Sequence, residues 1–316
     1  ESFDAVPGKP FAYWVSSAIR NSFKNFPAFE GDGRTAKVGL ATADDFRFLR
    51  IWFETNSKGT PSCREWPSFA KGGGFSQYYA DIPLVLNWRK SGAELKESVI
   101  AQHGNAGKRV YNEEFYFKPS ITWPLRSHRF SPQALPAECI FSVRGYTAHP
   151  KRGEELATLA VFGSSGFDYL FKTALGRFGY PEFIVGILQI LPWAQPNELV
   201  ELKLAALAKD AWSLKRLLDS VTETSHAFLL PAALRSRPGA YDPPAIEAEL
   251  TWIQTEIDAI AFDLYGFAEA DRQAVNGIEA QTEVAPVADE NDESTEADVP
   301  SADALLSWAV GVAFGR

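Results

Sequence analysis

An α+β fold, a mixed β-rich region followed by helices, is what this sequence predicts, and three observations carry the prediction. With 316 residues, 46% of them hydrophobic, the chain can bury a sizeable core in one large domain or two smaller ones. From residue 37 to about 150 the apolar residues come in short runs between Gly/Pro turns, the pattern of short strands. After residue 150 the runs lengthen, gain Leu, Ala and Lys, and take helical spacing.

The elements follow in order. Pro10, with Trp14, Ala18 and Ile19 at helical spacing behind it, predicts a short amphipathic helix over 10–26. Residues 37–54 read as a strand, a polar turn at 42–45 and a second apolar segment, and further strands are expected at 84–88, 115–117 and 140–143. Helices are expected at 154–162 and 167–175. The apolar run 183–191, closed by Pro192, reads as a buried strand. Two long helices at 197–219 and 245–265 are expected to pack antiparallel, with corners at Pro192 and at 231–244. Residues 279–298 hold eight acidic side chains and no basic one, which predicts a disordered linker. The apolar stretch 305–316 reads as a helix or strand that stops abruptly.

Composition excludes several classes. No run of eighteen apolar residues and no basic-then-apolar leader is present, so a membrane span and a signal peptide are unsupported and a cytoplasmic setting is expected. Cys63 and Cys139 lie far apart without ligand spacing, and both read as reduced and packed. The chain has no methionine and starts at Glu1, so it is expected to be a piece of a longer protein cut at both ends. The net charge of -9 hides an asymmetry: residues 1–150 carry 19 Lys and Arg against 14 Asp and Glu, while the remainder carries 12 against 26. The front portion is therefore the one suited to a polyanion.

Some motifs resemble chemistry they do not carry. The stretch from Phe162 to Gly166 is glycine-rich but lacks cofactor-loop spacing and sits between helical runs, so it reads as a tight helix–helix turn. Asp242-Pro-Pro-Ala245 has the outline of an amine-gripping methyltransferase motif, yet alanine stands where an aromatic is needed, and it reads as a helix start. The four histidines, His103, His128, His149 and His226, share no ligand spacing and read as surface or loop residues; neither a catalytic nor a metal site is assigned.

What remains is a set of basic and aromatic residues interleaved in loops. Arg47, Arg50, Lys71, Tyr78, Tyr79, Lys118, Trp123, Arg126, Arg129 and Arg144, with Trp52 nearby, are the candidates for DNA contact, because guanidinium forks clamp phosphates and guanine edges while aromatic planes support bases. Trp14, Trp88 and Trp252 are assigned to the core. Gly72, Gly73 and Gly74, directly after Lys71, can bring backbone N–H groups against phosphates or form a plain turn. If they face DNA, alanine there is better tolerated for folding than for binding.

Five segments, RFLRIWFE (47–54), FAKGGGFSQYYADIPLVLNW (69–88), ITWPLR (121–126), RFSPQALPAECIF (129–141) and IDAIAFDLYG (257–266), carry a family resemblance in this order. Together they resemble the C-terminal target-recognition region of large adenine-specific DNA methyltransferases, the type IIG-like enzymes and their PglX-like relatives in BREX and DISARM phage defence. The resemblance implies an upstream domain with an S-adenosylmethionine loop, Phe-x-Gly-x-Gly, and an Asn-Pro-Pro-Tyr motif. Neither occurs here, so this segment is expected not to transfer methyl groups and to bind no cofactor itself. It implies double-stranded DNA as partner, the methyltransferase domain in cis or in trans, and further defence subunits. The expected organisation is a leading helix and linker at 1–36, a DNA target-recognition domain at 37–195, a helical segment at 196–277, an acidic linker at 278–300 and a truncated apolar segment at 301–316. The alternative, favoured by the acidic second half, is a non-catalytic fragment that docks on a partner without reading DNA; a free-standing enzyme is the third reading.

Overall fold

The computed structural model describes residues 15–55, 65–235, 241–282 and 301–314. The fold is α+β, two four-stranded sheets with helices grouped mainly against one of them. The first sheet holds β1 (Thr35–Lys37), β8 (Gly145–His149), β5 (Ser120–Pro124) and β6 (Gln133–Leu135) in that spatial order, all antiparallel. In the second, β2 (Leu49–Ile51), β4 (Leu84–Leu86), β3 (Ser68–Ala70) and β7 (Cys139–Phe141) lie side by side, with β3 and β7 parallel.

Register decides what each face of the first sheet carries. Thr122 stands opposite both Gln133 and Thr147, so strand alternation puts Ser120, Thr122, Gln133 and Thr147 on one face. Ile121, Trp123 and Ala148 occupy the other, with Ala36 of β1 opposite Ala148. That apolar face packs on α4 (Glu155–Gly163) and α5 (Ser165–Leu175), where Phe130 meets the rings of Trp123, Phe162, Phe171 and Phe183 at centroid distances of 5.0 to 5.8 Å. Leu135 joins a separate core beneath the second sheet, with Phe69, Leu86 and Phe141.

The helix–helix turn at 162–166 is as the sequence predicts. The Ser164 hydroxyl accepts the Phe167 N–H at 3.2 Å and caps α5. Asp242 likewise caps α9 (Pro243–Tyr265), whose first turn holds the two prolines. α7 (Glu198–Leu218) runs antiparallel to α9: Lys203 pairs with Glu256 at 2.9 Å while the Tyr241 hydroxyl, just before α9, reaches the Leu218 carbonyl at 3.3 Å. Leu204, Ala208, Ile253 and Ile257 of these two helices belong to the same core as the first sheet.

Several expectations are corrected. Residues 183–191 contain a helical turn, α6 (Val185–Ile190), instead of a strand; Leu188 is buried while Ile184 and Ile190 are exposed, so one face of a turn is covered where a central strand would bury both. Residues 115–117 make no strand, because a 3₁₀ turn ends at Phe115 and Phe117 adopts φ +61°. Trp252 is exposed on α9, not in the core; Trp88 is buried as expected, and Trp14 lies outside the described residues. Helix α1 (Ser17–Asn25) covers only the second part of the predicted 10–26 helix, and 10–14 lie outside the described residues. α10 (Glu269–Thr282) runs into the expected linker, whose remainder, 283–298, also lies outside them, as does Cys63. Cys139 is buried, and burial with the neighbouring Glu138 charge pushes its thiol up to about 12. The terminal stretch forms α11 (Ser301–Ala313). The remaining helices are α2 (Asp45–Phe48), α3 (Arg89–His103) and α8 (Ala232–Arg235). Among the described residues no helix is long and apolar enough to cross a membrane.

Candidate nucleic-acid interface

Three chain segments meet at one edge of the two sheets: the loop after β3, the end of β5 and the turn between β7 and β8. Ser142 donates its N–H to the Ala70 carbonyl at 3.0 Å, and Leu125 donates to the Arg144 carbonyl at 3.2 Å. Gly72 adopts φ +91°, and a Cβ there would sit 3.0 Å from the Arg144 carbonyl oxygen. On Gly145 it would sit 2.7 Å from the Ala70 oxygen. Bareness at Gly72 thus serves contact with the chain's own backbone, and alanine there strains the fold itself. Gly73 faces open space and Gly74 is exposed, so these two keep an outward-facing backbone.

Basic side chains gather around this loop. Lys71 pairs with Asp45 at the start of α2, and the Arg144 charge also acts on that carboxylate. Burial raises the Asp45 carboxyl, but the bonds from Lys71 and Thr42 with the two cationic charges outweigh it and hold the group below the usual range. Arg47, on the same helical turn, directs its guanidinium to Glu94 at 2.9 and 3.1 Å, and Arg50 donates to the Phe46 and Leu49 carbonyls. Arg126, at the end of β5, holds Glu182 through its Nε at 2.8 Å. Exposed ion pairs of this kind contribute about 0–1 kcal/mol. A phosphate can therefore compete for these cations at little cost.

Beside the loop opens a cleft of about 580 Å³, bounded by Lys71 and Gly72–Gly74 and by the end of α7 with the turn behind it. That turn is pinned at several points. The Tyr79 hydroxyl lies 3.1 Å from the Asp219 carboxylate, and burial together with the Asp219 charge pushes the phenol pKa upward. Trp52 donates its indole N–H to the Thr224 carbonyl at 2.8 Å and lays its ring 4.6 Å from that of His226. The His226 Nδ1 in turn sits 3.0 Å from Asp81.

Not every predicted contact residue reaches this edge. Tyr78 and Trp123 are 3% and 0% exposed; the Tyr78 hydroxyl donates to Gln254 at 2.7 Å and the Trp123 indole to the Phe183 carbonyl at 2.8 Å. Both rings are spent on packing, and neither presents a face to a base. Arg129 is half-buried with its Nη2 3.2 Å from Ser165, whose hydroxyl in turn donates to Asp258, so it ties the β region to the α4–α5 turn. Lys118 sits over the Phe115 ring at 4.9 Å, beyond the opposite end of β5 from Arg126. Lys71, Gly72–Gly74, Arg126 and Arg144 are brought together, with Arg47 and Arg50 on the adjoining α2–β2 segment and Tyr79 in the cleft.

Sequence reasoning missed Gln133, Lys215 and Asp219, which also line the cleft. Gln133 lies within a resemblance segment but is neither basic nor aromatic. Lys215 stands in the acidic half, where charge counting hides it.

No family model matches the chain. The adenine-specific methyltransferase PglX of Lacticaseibacillus casei (strain Zhang) is 24% identical over 340 residues, covering 100% of this chain and 27% of that protein. The adenine-specific methyltransferase BrxX of Escherichia coli O9:H4 (strain HS) is 27% identical over 222 residues, covering 67% of this chain and 17% of its own length. The chain thus spans about a quarter of the first relative and less of the second. Among solved structures, the type IIL restriction-modification enzyme MmeI in complex with DNA is similar at a TM-score of 0.51 and 15% identity, over 82% of this chain and 37% of that one. At that identity the likeness is one of fold.

Proposed function

We propose that this chain is the DNA target-recognition part of an adenine-specific DNA methyltransferase of restriction–modification or phage defence. The observation that carries the reading is the gathering of Lys71, Arg126, Arg144, Arg47 and Arg50 around an outward-facing glycine backbone at one edge of the sheets. Cations and backbone N–H groups at such an edge set register on phosphates, and arginine forks read base edges. The similarity to PglX and BrxX, and to a restriction-modification enzyme solved with DNA, supports it. Methyl transfer from S-adenosylmethionine is assigned to a domain outside this chain. The glycine-rich turn of α4 and α5 does not fit that cofactor, because Phe162, Ser164 and Phe167 are fully buried around it.

The test is a gel shift on duplex DNA across salt concentrations. Binding should weaken with salt at a log–log slope of about -0.9 per phosphate neutralised. Lys71→Glu with Arg126→Glu should abolish it while the thermal melt stays cooperative, and absence of binding at low salt sinks the reading. A second reading, docking on a protein partner, is favoured by exposed Leu199, Leu202 and Trp252 on α7 and α9. It gains if charge reversal leaves DNA binding unchanged.

A further inference from the structure

The cleft beside the glycine loop carries chemistry that phosphate contacts do not use. Its lining sets Lys71 and Lys215 against Asp81 and Asp219, so these charges cancel. A free phosphate gains little net attraction there, whereas a neutral heterocycle with both donors and acceptors finds partners of both kinds. The volume of about 580 Å³ lies within the range of small-molecule sites, about 300–1,000 Å³.

Gln133 supplies the second, independent observation. It lies in β6 opposite Thr122, both residues line the cleft, and it is only 8% exposed. Its side-chain amide makes no hydrogen bond among the described residues and is not one of the buried polar groups left without a partner, so the amide stays accessible to a molecule in the cleft. An amide offers one donor and one acceptor side by side, the arrangement that pairs with two edge atoms of a nucleobase. Lys215 likewise makes no ion pair among the described residues, and burial lowers its pKa against the opposing Glu247 charge. Phe75, half-exposed on the rim with its ring 4.3 Å from that of His128, adds an aromatic surface at the mouth.

We propose that this cleft holds one unpaired nucleobase, its edge paired with the Gln133 amide and its periphery flanked by Lys215 and Asp219. The base comes either from a DNA strand held at the glycine loop or from a free nucleoside, and only the first source rests on the recognition reading. No bond is made or broken; the site binds. Extruding a base is least costly where the base is already unpaired, so a bulged nucleotide is the preferred form in DNA.

The experiment titrates the whole chain in two arms. One uses the four free deoxynucleosides in calorimetry. The other uses a duplex with a single bulged 2-aminopurine, read by fluorescence, with a fully paired duplex as control. The expected result is a fluorescence change and at least tenfold tighter binding of the bulged duplex. Gln133→Leu and Lys215→Met should each reduce that preference about tenfold, with the gel shift of paired duplex and the circular-dichroism melt unchanged. The cleft inference is overturned if paired duplex binds but neither the bulged base nor any nucleoside registers, or if both variants keep the preference. Failure of paired duplex to bind, with nucleosides still binding through Gln133, would sink the recognition reading and support the cleft.

Discussion

His149 shows how a single side chain becomes a stability term that its sequence position does not announce. It ends β8, packs against the rings of Phe115 and Phe141 at 4.9 and 5.8 Å, and shares a 3.0 Å hydrogen bond with Thr147. Burial, reinforced by the charges of Lys118 and Lys37, pulls its pKa from 6.5 to about 4. The unfolded chain therefore takes up the proton first. Stability from the neutral ring is whole above about pH 6.5 and is lost as pH falls towards 4, with about 2 kcal/mol gone between pH 7 and pH 5. Urea midpoints at those two pH values should differ by correspondingly less in His149→Phe than in the unsubstituted chain. An equal difference in both would show that other groups carry the pH dependence. The four histidines share no ligand spacing, which points His149 to the surface or a loop, and nothing in its local sequence hints at the two rings that the fold brings to it. Tyr78 and Trp123 go in the opposite direction: residue type points to a base contact, yet both rings are buried, with the Tyr78 hydroxyl held by Gln254 and the Trp123 indole by the Phe183 carbonyl.

At the level of elements, the turn following α7 depends on what holds it. Trp52 contributes the indole bond to Thr224 and the ring contact with His226, together worth about 2 kcal/mol. Trp52→Ala should raise amide exchange over 219–226 roughly thirtyfold, while the first sheet, which Trp52 does not join, keeps its protection. Uniform loss across both regions would mean that Trp52 supports the whole fold and not this turn. The long helices were legible because their periodicity runs for many turns and their caps, Asn197 and Asp242, are written locally. The stretch 183–191 was not, since a short apolar run fits a buried strand or a helical turn equally well. What decides between them is remote: the Phe183 N–H is taken by the Leu125 carbonyl and the Trp193 N–H by the Pro27 carbonyl. Gln133 was illegible for a similar reason, because its value to the cleft comes from β3, β5 and α7 meeting around it.

At the scale of the whole molecule, the proposed DNA reading turns on whether the front portion folds without the helices that follow it. Charge separates the two, with the basic excess confined to residues 1–150. Packing joins them: the apolar face of the first sheet, α4, α7 and α9 contribute to one continuous core, and Gln254 of α9 accepts the Tyr78 hydroxyl bond. Leu159, Ala160, Leu204 and Ala208 are all fully buried within it. Ending the chain at residue 195 removes α7 and α9, leaving a broad apolar face of α4 and α5 in water at about 25 cal/mol per Å². Against a typical net stability of about 5–15 kcal/mol, that loss is decisive. A 37–195 fragment should therefore aggregate or melt without a cooperative transition, whereas the chain containing both long helices melts in one. The lining of the cleft shows the same coupling, since Lys215 lies in α7 and Asp219 directly after it, while Lys71 follows β3 and Gln133 begins β6. On the proposed recognition reading, a fragment that melts cooperatively and matches the whole chain in a duplex-DNA gel shift would make the helices an appendage to recognition and the shared core only a docking surface.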